Sequence, residues 1–348
     1  MKSFEAAYIE RLPISQRLLR TVRELGEFKG RQGLFQEQSP QVLETLRHVA
    51  VIQSTESSNR IEGIVASPER MHELLARRVR PRDRSEQEIV GYRDALSAVH
   101  AGFARMPVEP RTVLDIHSRM FRLLPGEGGH WKKKDNRIVA DLPDGVRVVQ
   151  FVPLPARQTA AAMVALHRMF TEQWEAEAAE PLVLIAAYVL DFLCIHPFRD
   201  GNGRMARLLT NLLLYKAGYE VGRYVSLEKV VEDTKASYYD TLYRSSQRWH
   251  SGKHDLDPWL EYFLGVMLSG AYQEFERRIG LVSSGRGSKS ALVLDVIAHM
   301  PGDFSVRDVR ERAPGVSIDM VRRVMKQERA AGRLKCLGRG PDTRWRRV

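Results

Sequence analysis

The side chains best suited to chemistry are concentrated in twelve consecutive residues, His196-Pro-Phe-Arg-Asp-Gly-Asn-Gly-Arg-Met-Ala-Arg207. His196 is the group in this run that exchanges protons near neutral pH, so it could take a proton from an attacking hydroxyl. Gly201, Asn202 and Gly203 permit a tight turn. Backbone amides at the start of a following helix would then face an anion with the positive end of the helix dipole. Arg204 and Arg207, three residues apart, fall on one face of that helix, and guanidinium forks match phosphate oxygens. Asp200 precedes the glycines and is a hard oxygen ligand that could hold Mg2+ against the same oxygens. Each feature alone has an ordinary explanation as a helix cap, a turn or a surface charge. Together they meet eight specified positions of H-x-F-x-[DE]-G-N-G-R-x-x-R, with a chance on the order of 10^-10 per window. The chemistry indicated is phosphate binding beside a base.

The flanking sequence contains the elements such a loop needs. Leu182 to Ile195 is an apolar helix interrupted only by Asp191, and Pro197 stops it after His196. A second helix starts near Arg204, with an apolar face at Leu208, Leu209, Leu212 and Leu213. Upstream, two β-branched runs between Asn136 and Pro153 flank Pro143-Asp-Gly145, a hairpin signal. The first hundred residues show helical apolar spacing and no sustained alternation.

Composition bounds the rest. The 348 residues, 43% hydrophobic and 28% charged, suit two or three globular units rather than disorder. No signal-peptide core or membrane-length apolar run is visible. Only Cys194 and Cys336 are present, which suits a reducing cytoplasm. The net charge is +11, and residues 285–348 hold 15 Lys/Arg against 7 Asp/Glu, so most of the excess is C-terminal. That tail follows a polar stretch, Ser283 to Ser290, that reads as a linker. It continues as a helix from Ala291, the run Phe304-Ser-Val-Arg-Asp-Val-Arg, a turn at Ala313-Pro-Gly315 and a helix from Ser317 to Ala331. A basic strand-turn-strand candidate closes it. Three helices and a basic hairpin suggest a winged helix-turn-helix, with Arg322, Arg323, Lys326 and Arg329 along its last helix and DNA as the expected partner. A helical protein-docking module with a solvated basic face is the alternative.

With these residues in view, the sequence resembles the Fic family, whose defining motif the twelve residues reproduce. Further likeness lies in Ile116-His-Ser-Arg-Met-Phe, Pro125-Gly-Glu-Gly-Gly, the hairpin, Tyr238-Tyr-Asp-Thr-Leu and Asp257 to Leu264, and extends over about residues 1 to 280. The resemblance implies an all-α Fic fold with a β-hairpin flap that pairs with an extended target segment. It implies transfer of AMP from ATP, with Mg2+, to Ser, Thr or Tyr hydroxyls of a protein target or of the chain itself. In these terms His196 is the general base, Asp200 the Mg2+ ligand, and Gly201, Asn202 and Gly203 supply phosphate-binding amides. Arg204 helps hold the triphosphate, Arg207 fixes the γ-phosphate, and Phe198 anchors the loop.

Ser58-Asn-Arg-Ile-Glu62-Gly63 matches the [ST]-x-x-x-E-[GN] pattern of the family's inhibitory helix. The resemblance implies that Glu62 pairs with Arg207 and takes the place of the γ-phosphate, that Ser58 supports it, and that the chain is of the N-terminally inhibited type. In some members the same glutamate supports removal of AMP. A homodimer is also implied. The expected division is an N-terminal helical region at 1–108, a catalytic core with supporting helices at 109–282, a linker at 283–290 and a winged-helix unit at 291–348. The rival expectation is a DNA-binding transcription regulator in which the Fic body senses nucleotide without transferring it.

Overall fold

The computed structural model describes the chain apart from residues 6–7, 39, 142–146, 284–287, 301, 314–315 and 339–342. It is mainly helical. Two long helices, α1 (Gln16–Gln38) and α2 (Pro40–Ile61), lead to α3 (Pro68–Leu75), α4 (Arg84–Gly102) and α5 (Pro110–Met120). Then come β1 (Ile138–Asp141) and β2 (Arg147–Phe151), α6 (Ala156–Glu175), α7 (Pro181–Ile195) and α8 (Asn202–Lys216). The body closes with α9 (Leu227–Asp233), α10 (Lys235–Ser246), α11 (Asp257–Glu261), a π-helical turn Tyr262–Leu268, and α12 (Ser269–Ser283).

Helix α7 is the centre. Pro181 occupies its first turn, where a missing amide costs nothing, and twelve of its residues are buried. Its single charge, Asp191, is fully buried and accepts from Ser3 Oγ at 2.7 Å and from the Trp249 indole. Burial pushes the Asp191 carboxyl up to about 6, against which those hydrogen bonds act. Helix α8 packs beside α7 with Leu208, Leu209, Leu212 and Leu213 all buried, as their spacing requires.

One core contains Leu25, Leu43, Leu46 and Ile61 together with the buried faces of α4 to α8. The division expected at residue 108 therefore separates no independent core: the N-terminal helices are part of the body. β1 and β2 pair antiparallel, with Val139 opposite Val149 and Asp141 opposite Arg147. The expected hairpin is thus present as paired strands, while its Pro143-Asp-Gly145 turn lies outside the described residues.

The C-terminal unit has its own core. Helices α13 (Ser288–Ala298), α14 (Val306–Arg312) and α15 (Ile318–Ala330) surround Val293, Val309, Val321 and Met325, and strands β3 (Leu334–Cys336) and β4 (Trp345–Arg347) pair antiparallel beside them. Ser317 caps α15 by accepting from the Met320 amide at 3.3 Å, as the sequence suggests. The expected linker is shorter than its composition indicates, because α12 reaches Ser283 and α13 begins at Ser288. Turns expected at 314–315 and 339–342 fall outside the described residues.

This second core reaches into the body. Val49 of α2, 2% exposed, belongs to it. The Asp308 side chain is fully buried at the seam, 2.5 Å from Arg78 Nη2 and 3.4 Å from His72 Nε2. No helix among the described residues is long and apolar enough to cross a membrane.

Candidate active site

His196 ends α7 in a left-handed conformation at φ 51° and ψ 60°, which turns the chain sharply into the loop. Its Nδ1 lies 3.2 Å from the Leu193 carbonyl. The carbonyl can only accept, so Nδ1 carries the hydrogen and Nε2 is left with a free lone pair. Burial pushes the imidazole down to about 4, with the Leu193 carbonyl opposing the shift. At neutral pH the ring is a neutral acceptor, the state a base requires.

Phe198 is fully buried, its ring stacked on His117 at 3.6 Å between centroids and tilted against Trp131. Asn202 ties the loop across its neck: Oδ1 accepts from the Phe198 amide and Nδ2 donates to the Phe198 carbonyl, both at 2.9 Å. Gly201 has φ 79°, and a Cβ there would lie 2.7 Å from Met120 Cε, so glycine is required by both conformation and space. The amides of Asn202, Gly203 and Arg204 open α8 and have no carbonyl within the helix to bond, which makes the loop an anion cradle.

The Asp200 carboxylate is half-exposed above this cradle. Its Oδ1 accepts from the Gly201 amide at 2.6 Å, and Arg84 and Arg204 stand 3.5 and 3.7 Å away. Among the described residues no three His, Cys, Asp or Glu cluster as a metal site. Asp200 is the carboxylate here that could hold a hard cation.

The two arginines are placed differently. Arg204 is 1% exposed; its Nη1 is 2.7 Å from Glu88 Oε2, and its guanidinium lies over the Phe121 ring. It is held by Glu88 on one side and reaches to within 3.7 Å of Asp200 Oδ1 on the other. Arg207, 6% exposed, donates through Nε to Ser58 Oγ at 2.9 Å, and through Nη2 to the Ser58 carbonyl at 3.0 Å and Glu62 Oε1 at 2.7 Å. Its Nη1 is buried and has no hydrogen-bond partner among the described residues. The structure thus brings Ser58, Glu62 and Arg207 together. A Cβ built on Gly203 would lie 2.4 Å from Glu62 Oε1, so that carboxylate sits directly over the anion cradle.

Glu62 follows α2, and Gly63 at φ 77° ends the turn. Lys235 Nζ donates to the Ile61 carbonyl at 2.7 Å, and Glu232 accepts from Ser57 and Arg60, both at 2.8 Å. These bonds fix the helix end against α9 and α10.

Several residues of the site are not apparent from the motif. A cavity of about 330 Å³ joins Glu62, His196, Asp200 and Arg207 to Val139 and Phe151 of the hairpin and to Tyr238, Tyr239 and Tyr243 of α10. Lys132 Nζ donates to the Ile195 carbonyl at 3.1 Å, and Asn136 Nδ2 to the Phe198 carbonyl at 3.1 Å. Burial lowers the Lys132 ammonium to about 8. A period of one residue type on α10, or the polar pair at Lys132 and Asn136, carries no signal until the fold brings them to the loop.

Residues 107–214 match the model of the Fic/DOC family. The protein adenylyltransferase Fic of Drosophila ananassae is 28% identical over 134 residues, 38% of this chain and 25% of its own. Its counterpart in Drosophila persimilis is 28% identical over 191 residues, 52% of this chain and 35% of its own. The chain thus spans between a quarter and just over a third of the length of these curated relatives. A Fic family protein from Desulfovibrio desulfuricans superposes with a TM-score of 0.63 at 23% identity, covering 97% of both chains. A Fic domain containing signaling protein from Bacteroides thetaiotaomicron gives 0.57 at 18%, covering 72% of this chain and 95% of its own. The structural likenesses establish the fold.

Proposed function

We propose that this chain, whose residues 107–214 form a Fic/DOC domain, transfers AMP from ATP to hydroxyl groups of protein side chains and is held inactive by Glu62. The observation that carries the reading is the Glu62 carboxylate lying over the anion cradle and paired with Arg207.

In the proposed reaction a target hydroxyl enters beside His196. Nε2 takes its proton as the hydroxyl oxygen bonds to the α-phosphorus of ATP, and the bond from that phosphorus to the bridging oxygen breaks to release pyrophosphate. The amides of Asn202, Gly203 and Arg204 hold phosphate oxygens, and Arg207 swings from Glu62 to the γ-phosphate. Asp200 would hold Mg2+, which when bound would supply charge neutralisation to the phosphates. Arg204 maintains the loop through Glu88. Orientation of the α-phosphate, rather than covalent chemistry by the protein, sets the rate. The aromatic side of the cavity at Tyr239 and Tyr243 offers the adenine a stacking surface.

A protein target fits the hairpin, where Val139, Val148, Val149 and Val152 are exposed next to the cavity and offer strand-pairing and apolar contact to an extended segment. The name protein adenylyltransferase borne by the Drosophila relatives supports AMP as the transferred group. Incubation with α-labelled ATP and Mg2+ tests this: Glu62→Gly labels protein, and Glu62→Gly/His196→Ala does not. Silence of the folded Glu62→Gly variant overturns the reading.

A second reading concerns the C-terminal unit, which we take as a winged helix. α15 packs on α13, α14 and β3 and leaves Arg322, Arg323, Lys326 and Arg329 exposed. That face suits a nucleic-acid backbone. Binding of duplex DNA that weakens steeply with salt supports it, and a nucleotide-sensing regulator is favoured if Glu62→Gly proves inactive. A homodimer and removal of AMP remain proposals from the resemblance.

A further inference from the structure

We infer that His117 is a positioning residue that sets the orientation of Asp200, a role that rests on the transferase reading above. His117 stands on α5, 1% exposed, and touches the loop at the Asp200 carbonyl. The Gly129 amide donates to its Nδ1 at 3.0 Å, so Nδ1 is the unprotonated nitrogen and Nε2 carries the hydrogen. Nε2 lies 3.2 Å from the Asp200 carbonyl, to which it can only donate. One tautomer satisfies both contacts. The ring plane is fixed independently by its 3° stack on Phe198.

The consequence travels through one peptide unit. In a trans peptide the carbonyl and the following amide point in opposite directions. Holding the Asp200 carbonyl toward α5 therefore aims the Gly201 amide outward, where it grips Asp200 Oδ1 at 2.6 Å. His117 thereby orients the carboxylate without touching it. The other end of the clamp is the segment leading to the hairpin. Gly129, at φ 81°, has a Cβ position only 3.0 Å from Ser118 Cβ, so close approach to α5 requires glycine there. Three residues later the Lys132 amide donates to the Pro197 carbonyl at 2.8 Å. One imidazole thus joins the metal-binding end of the loop to the base of the flap.

The clamp is tested by substitutions that keep one end each, made in the Glu62→Gly background. His117→Gln places a donor where Nε2 stands; His117→Asn keeps an acceptor near Nδ1 but falls short of Asp200; His117→Ala keeps neither. Two readouts are used: the Mg2+ concentration giving half-maximal AMP transfer, and hydrogen exchange of the Gly201, Asn202 and Gly203 amides without nucleotide. Loss of the Asp200 contact is expected to raise the Mg2+ requirement about tenfold in His117→Ala and His117→Asn, with His117→Gln within about threefold of its parent. Exchange at Gly201 should quicken in the same order. Equal behaviour of the three variants, or a Mg2+ requirement unchanged in His117→Ala, overturns the inference. If the Glu62→Gly parent transfers no AMP, the transferase reading fails, and the exchange order at Gly201 still decides whether the clamp exists.

Discussion

Replacing Glu62 by glycine tests the energetics of the resting site most directly. Arg207 now makes three hydrogen bonds, two to Ser58 and one of 2.7 Å to Glu62. To hold a phosphate, the chain must give up the contact to Glu62. A charge-assisted hydrogen bond contributes about 1.5–3 kcal/mol when desolvated. Glu62 is 30% exposed, which places this one near the lower end, at about 1.5–2 kcal/mol. At 1.4 kcal/mol per tenfold, kcat/KM for ATP should rise about 10- to 30-fold in Glu62→Gly. The same change leaves a buried guanidinium without its carboxylate, so Tm should fall by roughly a few degrees and recover with ATP. Initial rates of label transfer, with ATP below KM, give the first number and a melting curve the second. Glu62→Gln separates charge from space, because it keeps the volume over Gly203 while removing the anion. A rise below about threefold in Glu62→Gly, with Arg207 still required, would refute the argument that this ion pair limits the site.

Ser58→Ala should activate more weakly, about threefold, since the Ser58 carbonyl still accepts from Arg207. Acid should destabilise the fold early. Burial holds His100 at about 3 and His167 and His254 at about 4, below the usual 6.5. The unfolded chain therefore binds more protons than the folded one between those values. Stability is full above about pH 6.5 and lost as pH falls toward 4, and urea midpoints at pH 7, 6 and 5 should decline in that order. A flat series would contradict the burial of these rings. At the seam, Asp308→Ala should loosen the C-terminal unit by about 2 kcal/mol, leaving Arg78 with Glu311 alone, taking the carboxylate from beside His72 and removing half of the capping box at Ser305. Hydrogen exchange in α13 to α15 should accelerate while that of α7 stays slow.

Local sequence was informative wherever one element does the work. The apolar run of α7, the proline that stops it and the glycines after it lie within about twenty residues, and spacing alone locates the loop. The pairing of Glu62 with Arg207 spans 145 residues, and only resemblance to a known motif anticipated it. Lys132 and Asn136 had no such pattern, and the likeness at Ile116-His-Ser-Arg-Met-Phe assigned His117 no role. Their meaning comes from carbonyls of residues 195, 198 and 200, which the fold delivers. Arg204 adds a partner its spacing does not announce: Glu88 on α4, 2.7 Å from its Nη1. Helices on both sides of the expected boundary at 108 share one core. Charge and helical spacing say nothing about which helices share a core.

Helix α2 contributes Val49 to the C-terminal core and Ser58 to the grip on Arg207, nine residues apart on one rigid rod and about 14 Å along its axis. Its middle therefore serves the C-terminal core while its last turns serve the site. Occupancy at Arg207 and docking at Val49 would share one mechanical element, so any free energy by which one biases the helix would be returned to the other with equal size. A ligand of the C-terminal unit that alters docking would change the affinity for ATP, and ATP would change the affinity for that ligand by the same factor.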